Sequence, residues 1–191
     1  MIMVIGMMLF LSSCAVNQGI TLNYSPVAHE QITTSKTVSV NVSDERPYIK
    51  DQTKPPAFIG KFRGGFGNPW NAYTENKVPL AQVFATDLVK EVKSLGLNVQ
   101  TGNADITIKV DILDYNFDAL VNGHFWYEIK LSILDQAGAV LKEKTFKDDV
   151  EISGSVWIGP MVAFKNKLPE LHQQLIQKMV RENTELIDAL R

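Results

Sequence analysis

Apolar and polar residues along this chain alternate in two distinct rhythms. Thr37-Val38-Ser39-Val40-Asn41-Val42-Ser43 alternates with period two in β-branched residues, which predicts a half-buried strand with the valines inward. The same rhythm runs through Ile106, Ile108, Val110 and Ile112, then through Phe125, Tyr127, Ile129, Leu131 and Ile133, and a third run covers Val140 to Ile152. Asn122-Gly123 and Asp135-Gln136-Ala137-Gly138 supply the turns. Residues 105 to 152 therefore read as an antiparallel meander. A three- and four-residue rhythm marks two helices. One runs from Pro79 to Leu95 with Leu80, Val83, Phe84, Leu88 and Val92 on its apolar face and Gly96 as its stop. The other runs from Leu168 to Leu190, with Pro169 in its first turn and Leu171, Leu175, Ile176, Met179 and Val180 inward. Gly19 to Tyr24 suggests a short strand, and Leu97-Asn98-Val99 a return to the sheet.

Each helix and each alternating strand must bury one face. The order strand, long segment, helix, three strands, helix predicts an α+β fold. We expect a two-layer sandwich: a mixed, mainly antiparallel sheet of about four strands with two helices on one face. Residues 44 to 78 lack either rhythm and are rich in Gly and Pro, so a long irregular segment is expected there, with a strand piece around Ala57–Lys61.

The first residues follow a third pattern. Met1 to Leu11 is uncharged and apolar but too short to span a bilayer as a helix, for which about 20 residues are needed. It suits the apolar region of a secretory signal. Leu11, Ser12 and Ser13 then lead into Cys14, the single cysteine of the chain. A branched apolar residue, two small residues and a cysteine form a lipobox. The expectation is cleavage before Cys14 and acylation of its thiol, giving a signal at 1–13, a lipidated tether at 14–19 and one domain at 20–191. No basic residue precedes Cys14, where a signal usually carries one. This start resembles that of bacterial lipoproteins, and with Ala15 rather than Asp after the cysteine the resemblance implies sorting to the outer membrane, facing the periplasm.

Composition narrows the chemistry. Of 191 residues, 45% are hydrophobic and 21% charged, an ordinary balance for a folded domain. The net charge of −2 lacks the basic footprint of a nucleic-acid binder. Acylated Cys14 leaves no thiol for a disulfide, a thiolate metal site or a cysteine nucleophile. His29, His124 and His172 show no zinc spacing, and His172 falls on the polar side of its helix. Gly64-Gly65-Phe66-Gly67 lacks the spacing of a phosphate-binding loop. Ser153 and Ser155 show no nucleophile-elbow pattern. No cofactor, metal or catalytic set is expected.

Two features remain. Arg46, in Asp44-Glu45-Arg46-Pro47, either pairs with Asp44 and binds loop carbonyls or offers a guanidinium to an anionic ligand. Aromatic residues in apolar or Gly-rich surroundings, Phe62, Phe66, Trp70, Trp157 and Phe164, are the candidate contacts with a partner. For the Trp157–Phe164 run the alternative is a connection buried against the last helix.

The lipobox, the Asp44-x-Arg46 step, Leu95-Gly96-Leu97, the strand Ala104-Asp105-Ile106-Thr107-Ile108 and the strand end Val150-Glu151-Ile152-Ser153-Gly154 together resemble the YajG-like group of bacterial lipoproteins. The resemblance implies an envelope location and this fold, without a reaction. The expected role is a non-catalytic adaptor that binds another envelope protein, with a cell-wall glycan-binding factor or small hydrolase as the alternative.

Overall fold

The computed structural model describes residues 19–27, 31–63, 69–120, 122–153 and 160–190. In chain order these form strands β1 (Gly19–Ile20) and β2 (Thr37–Asp44), helix α1 (Pro47–Lys50), strands β3 (Phe58–Arg63) and β4 (Pro69–Thr74), and a 3-10 turn at Glu75–Lys77. Helix α2 (Leu80–Ser94), strand β5 (Asn98–Val99), strands β6 (Ile106–Ala119), β7 (Gly123–Asp135) and β8 (Val140–Ile152), and helices α3 (Pro160–Val180) and α4 (Thr184–Leu190) follow.

The class is mixed α+β, but the sheet is larger than expected. Among the described residues eight strands join one sheet, ordered β1-β4-β3-β6-β2-β5, with β7 and β8 added on the other side of β6. The expectation of about four strands and two helices is corrected to eight strands and four helices. Two of the additional strands, β1 and β5, are only two residues long. The other two, β3 and β4, are an antiparallel hairpin inside the segment read as irregular. Gly60 breaks the alternation there for a physical reason. The Phe117 ring lies against its backbone, and a Cβ would sit 2.3 Å from Phe117 Cδ1.

The meander β6-β7-β8 pairs as the periodicity requires, with Ile108 opposite Ile133, Val110 opposite Leu131 and Phe117 opposite Phe125. A bulge between Ile112 and Asp114 shifts the phase, so the inward residues of β6 change from even to odd numbers, Tyr115, Phe117 and Ala119. β2 pairs in parallel with β6 from Val38/Ile106 to Asp44/Ile112. Helix α2 lies on β2, and α3 crosses β6, β7 and β8. One continuous cluster of buried side chains joins the helices to the sheet. Gly96 ends α2 with φ +82°, a left-handed conformation suited to glycine.

The last helix also differs from expectation. It begins at Pro160, so Pro169 sits inside it and removes one ladder bond without ending it. Phe164 and Leu168 are fully buried, and their packing outweighs that loss. The helix breaks before Asn183, whose side chain accepts a bond from Leu186 N and caps α4.

Arg46 joins the parts. Strand β6 has two partners along one edge. β2 pairs with it as far as Ile112, and β3 pairs with it from Asp118. Between them, among the described residues, no strand pairs with β6 at the Tyr115 carbonyl on this edge. Arg46 Nη1 donates to it at 3.2 Å and to Phe58 O at 2.6 Å, while Nη2 donates to Pro56 O at 3.2 Å. Asp44 accepts from Nε and Nη2 at 2.7 and 2.6 Å. The guanidinium has no exposed surface. Burial opposes its charge, but the bonds to Asp44 more than offset this and raise its pKa. Tyr48 covers it, 5.4 Å from its ring centroid.

Removing this guanidinium leaves a largely buried carboxylate without its counter-ion and takes a donor from three carbonyls, of which Pro56 O keeps its bond from Leu80 N and Tyr115 O its long one from Tyr48 OH. Arg46→Ala is therefore expected to cost about 3–5 kcal/mol. Arg46→Lys is expected to recover little, because one ammonium cannot reach acceptors spread around a planar fork. Urea unfolding checks both, and a loss under about 1 kcal/mol for Arg46→Ala would remove Arg46 from this role.

Candidate functional site

Phe62 and Phe164 are not surface contacts. Phe62 is 1% exposed and Phe164 fully buried, and both stack against Phe117, with ring centroids 5.0 and 4.9 Å away. The β3-β4 hairpin turns Phe62 toward the helix layer, and the first turns of α3 bring Phe164 onto it. Trp70 is different: it sits opposite Phe62 and remains 48% exposed. Cys14, Leu11, Ser12, Ser13, Phe66 and Trp157 lie outside the described residues. Asp44 and Arg46 form the clamp described above. The Arg46 guanidinium is occupied by protein acceptors and has no exposed surface for a ligand.

The helix pattern predicts a solvated His172, and the structure corrects this. His172 is fully buried. It continues the inward series Phe164, Leu168, His172, Ile176 at four-residue spacing. Tyr115 OH lies 3.3 Å from its Nδ1, and Asp87 Oδ2 lies 3.2 Å from its Nε2. Phe84 meets the ring edge-on at 4.9 Å. Lys90 Nζ donates to the other Asp87 oxygen at 2.9 Å.

One turn along α2, Glu91 is also fully buried. It accepts from Tyr24 OH and from Arg181 Nε, and from Arg181 Nη2 at 3.0 Å. Burial first, and then the bond to Glu91, pushes the Tyr24 phenol well above its ordinary pKa. Asp87 and Glu91 share the inward face of α2 with Phe84, Leu88 and Val92. A signal for them existed, since both carboxylates fall on that helix's apolar stripe.

The order Tyr115, His172, Asp87 has the connectivity of a proton relay. General acid–base chemistry needs the reacting atom within hydrogen-bond reach. Tyr115 and His172 have no exposed surface, so in this conformation no substrate atom touches the phenol or the imidazole. Asp87 borders a cleft of about 250 Å³ lined by Ile20, Thr21, Leu22, Glu75 and Gln82, but it is 3% exposed and held by His172 and Lys90. The arrangement ties α2 to α3 and to the first strand's extension. Among the described residues no group of three His, Cys, Asp or Glu side chains is placed to hold a metal ion. Among the same residues no helix is long and apolar enough to cross a membrane.

The sheet face turned away from the helices is polar and carries paired charges of both signs. Asp111 accepts from Ser43 at 2.6 Å and Lys109 at 3.1 Å. Lys147 meets Glu128 at 2.7 Å, and Trp126 Nε1 donates to Asp114 at 2.9 Å. At one end of this face Arg63 grips Asp118 through two bonds of 2.6 and 2.5 Å. Those bonds hold the Asp118 carboxyl below its ordinary range, against a smaller opposing effect of burial.

Two outcomes follow from these contacts. Glu91→Leu alone takes the carboxylate partner from Arg181, which keeps only its bond to Val27 O, and from the Tyr24 hydroxyl, and is expected to cost roughly 3–5 kcal/mol. Combining it with Tyr24→Phe and Arg181→Met should recover most of that loss in urea unfolding. A triple variant as weak as Glu91→Leu would show that the pairing is not the cause. The second outcome concerns Asp118. A carboxylate with a lowered folded pKa adds stability above its unfolded value, about pH 4, and loses it as pH falls through the folded value. The stability gap between the wild type and Asp118→Asn should be present at pH 7 and close as the pH falls below that value. A gap unchanged across that range would contradict the Arg63 pairing.

No family model matches the sequence, and no curated protein matches it. Among solved structures, a Xanthomonas campestris protein assigned to family model DUF330 is similar at 15% identity and a TM-score of 0.54, over 83% of this chain and 90% of that one. PelC from Paraburkholderia phytofirmans aligns at 12% identity and a TM-score of 0.47, over 80% of this chain and 90% of its own. A minor lipoprotein from Acinetobacter baumannii aligns at 10% identity and a TM-score of 0.38, over 78% and 90%. At such identities likeness concerns the fold alone, and of these three only the DUF330 protein scores high enough to support a shared fold.

Proposed function

We propose that this chain is a lipid-anchored envelope protein, held at the outer membrane and facing the periplasm, whose domain acts by binding another envelope protein. The observation that carries the reading is Leu11-Ser12-Ser13-Cys14 at the end of an apolar run, with the single cysteine of the chain at the acylation position. The resemblance to YajG-like lipoproteins points the same way. The binding role is supported by the contrast between the two polar regions. The buried groups around His172 and Glu91 are consumed in joining helices. The open sheet face presents solvated charges of both signs along β6, β7 and β8, a surface suited to a polar, reversible interface.

Lys147 and Asp149 lie on that face, 73% and 65% exposed, so reversing both charges should leave the fold intact. In cells, cross-linking of the anchored chain should yield one defined partner that is lost on Lys147→Glu with Asp149→Lys. The same partner should persist on Leu141→Ser, at the far end of β8. Cys14→Ser should release the chain from the membrane fraction and change its mobility. Retention on the membrane would overturn the anchor. Binding of cell-wall fragments without any protein partner would overturn the adaptor role in favour of a glycan-binding factor.

A further inference from the structure

We propose that one end of the domain, bearing Trp70, Leu120 and Val162, rests on the lipid bilayer, with the N-terminal tether leaving beside it. The inference builds on the reading of Cys14 as the lipidated residue. It adds an orientation and a second, non-covalent contact with the membrane.

The three side chains are 48%, 45% and 44% exposed. They are far apart in sequence, and the topology gathers them. Trp70 pairs with Phe62 across the β3-β4 hairpin. Phe62 pairs with Ala119, the neighbour of Leu120. Val162 precedes Phe164, whose ring meets Phe62 at 6.3 Å and Phe117 at 4.9 Å. The apolar core thus runs out to this end of the sheet and emerges there.

The direction of β1 makes the bilayer the occupant. β1 pairs in parallel with β4, Gly19 opposite Tyr73 and Ile20 opposite Thr74. Since β4 starts at Pro69, the upstream end of β1, at Gly19, is the one turned toward Trp70. Cys14 lies five positions before Gly19, a reach of at most about 18 Å. Tyr73 to Trp70 is three strand positions, about 10 Å. A lipid on Cys14 can therefore enter the bilayer next to the tryptophan. Of the other exposed apolar residues, Val27 stands alone beside Arg181, just after α3, and Val140 and Leu141 begin β8 at the opposite end of the sheet. A strand of thirteen residues like β8 spans about 43 Å, beyond the reach of the tether.

The chemistry fits an interface. An indole with an apolar body and one polar N–H settles at headgroup depth. Leu120 and Val162 add apolar area. Arg63 and Asp118, near the same end, pair with each other, so that ion pair brings no net charge to the surface. The acyl anchor supplies the affinity, and the three side chains select which end turns toward the lipid.

The test uses the full lipidated chain with Leu120→Cys or Leu141→Cys. Acylated Cys14 leaves the new thiol as the only site for a fluorescent label. Each protein is placed in phosphatidylethanolamine–phosphatidylglycerol vesicles with and without brominated acyl chains. The label at position 120 should be quenched roughly twofold by the brominated lipid, and the label at 141 should be unaffected. Equal quenching, or quenching only at 141, overturns the orientation. Protection of position 120 from aqueous iodide without lipid quenching also overturns it, and shows that a protein or a second copy covers this end. The mass of the Cys14 peptide is read separately. Without an acyl group the anchor reading fails as well, whereas an acylated Cys14 with no quenching at 120 removes only the orientation.

Discussion

The sheet depends on a guanidinium that stands where a strand is missing. Strand β6 cannot be flanked along one edge by a single neighbour, because β2 ends where β3 has not yet begun to pair. An unpaired buried carbonyl at that gap would be costly. Arg46 closes the gap with a rigid fork that serves three backbone carbonyls and a carboxylate at once. Its bond to Phe58 O also fixes the start of β3. The exit of β2, the start of the hairpin and the bulged centre of β6 are thereby set by one side chain. A buried ion is weak evidence for stability as such. Here it specifies which strand follows which.

The helix layer is fastened by a second device. Asp87 and Glu91 replace apolar residues on the inward stripe of α2, and each is met by a group from α3 or from the residues just after it. Dispersion and apolar burial would allow α3 to slide along α2. Two different polar pairs one turn apart do not. Tyr24 and Tyr115 extend those pairs into the N-terminal segment and the sheet. The buried titratable groups of this layer are thus bonded to one another across its packing.

What the sequence reveals depends on whether a residue's local pattern agrees with its tertiary place. The meander from 106 to 152, the helix after Pro79 and its stop at Gly96 are legible because propensity, periodicity and turn chemistry coincide. The Asp44-Arg46 pairing is legible because a single residue separates the partners. The β3-β4 hairpin is not, since Gly60 breaks the alternation in order to admit Phe117 from a distant strand. His172 looks polar in isolation, yet it occupies an inward position whose partners are 57 and 85 residues away. Phe62 and Phe164 read as candidate contacts from their Gly-rich or apolar surroundings, although each completes the other's packing with Phe117. Trp70 keeps its exposure because it lies just beyond that cluster.

The two-residue strand β1 has a mechanical meaning. Among the described residues it is the first pairing a pull from the N-terminus would meet, and it runs parallel to β4. Tension applied along its axis loads its ladder bonds together, in shear, rather than opening them one at a time. Ile20, Leu22 and Tyr24 continue into the core, and the Tyr24 hydroxyl is bonded to Glu91 on α2. Force entering at Gly19 is therefore shared between the sheet and a helix within six residues, so a domain tethered at this terminus can be tugged without being unravelled from its end.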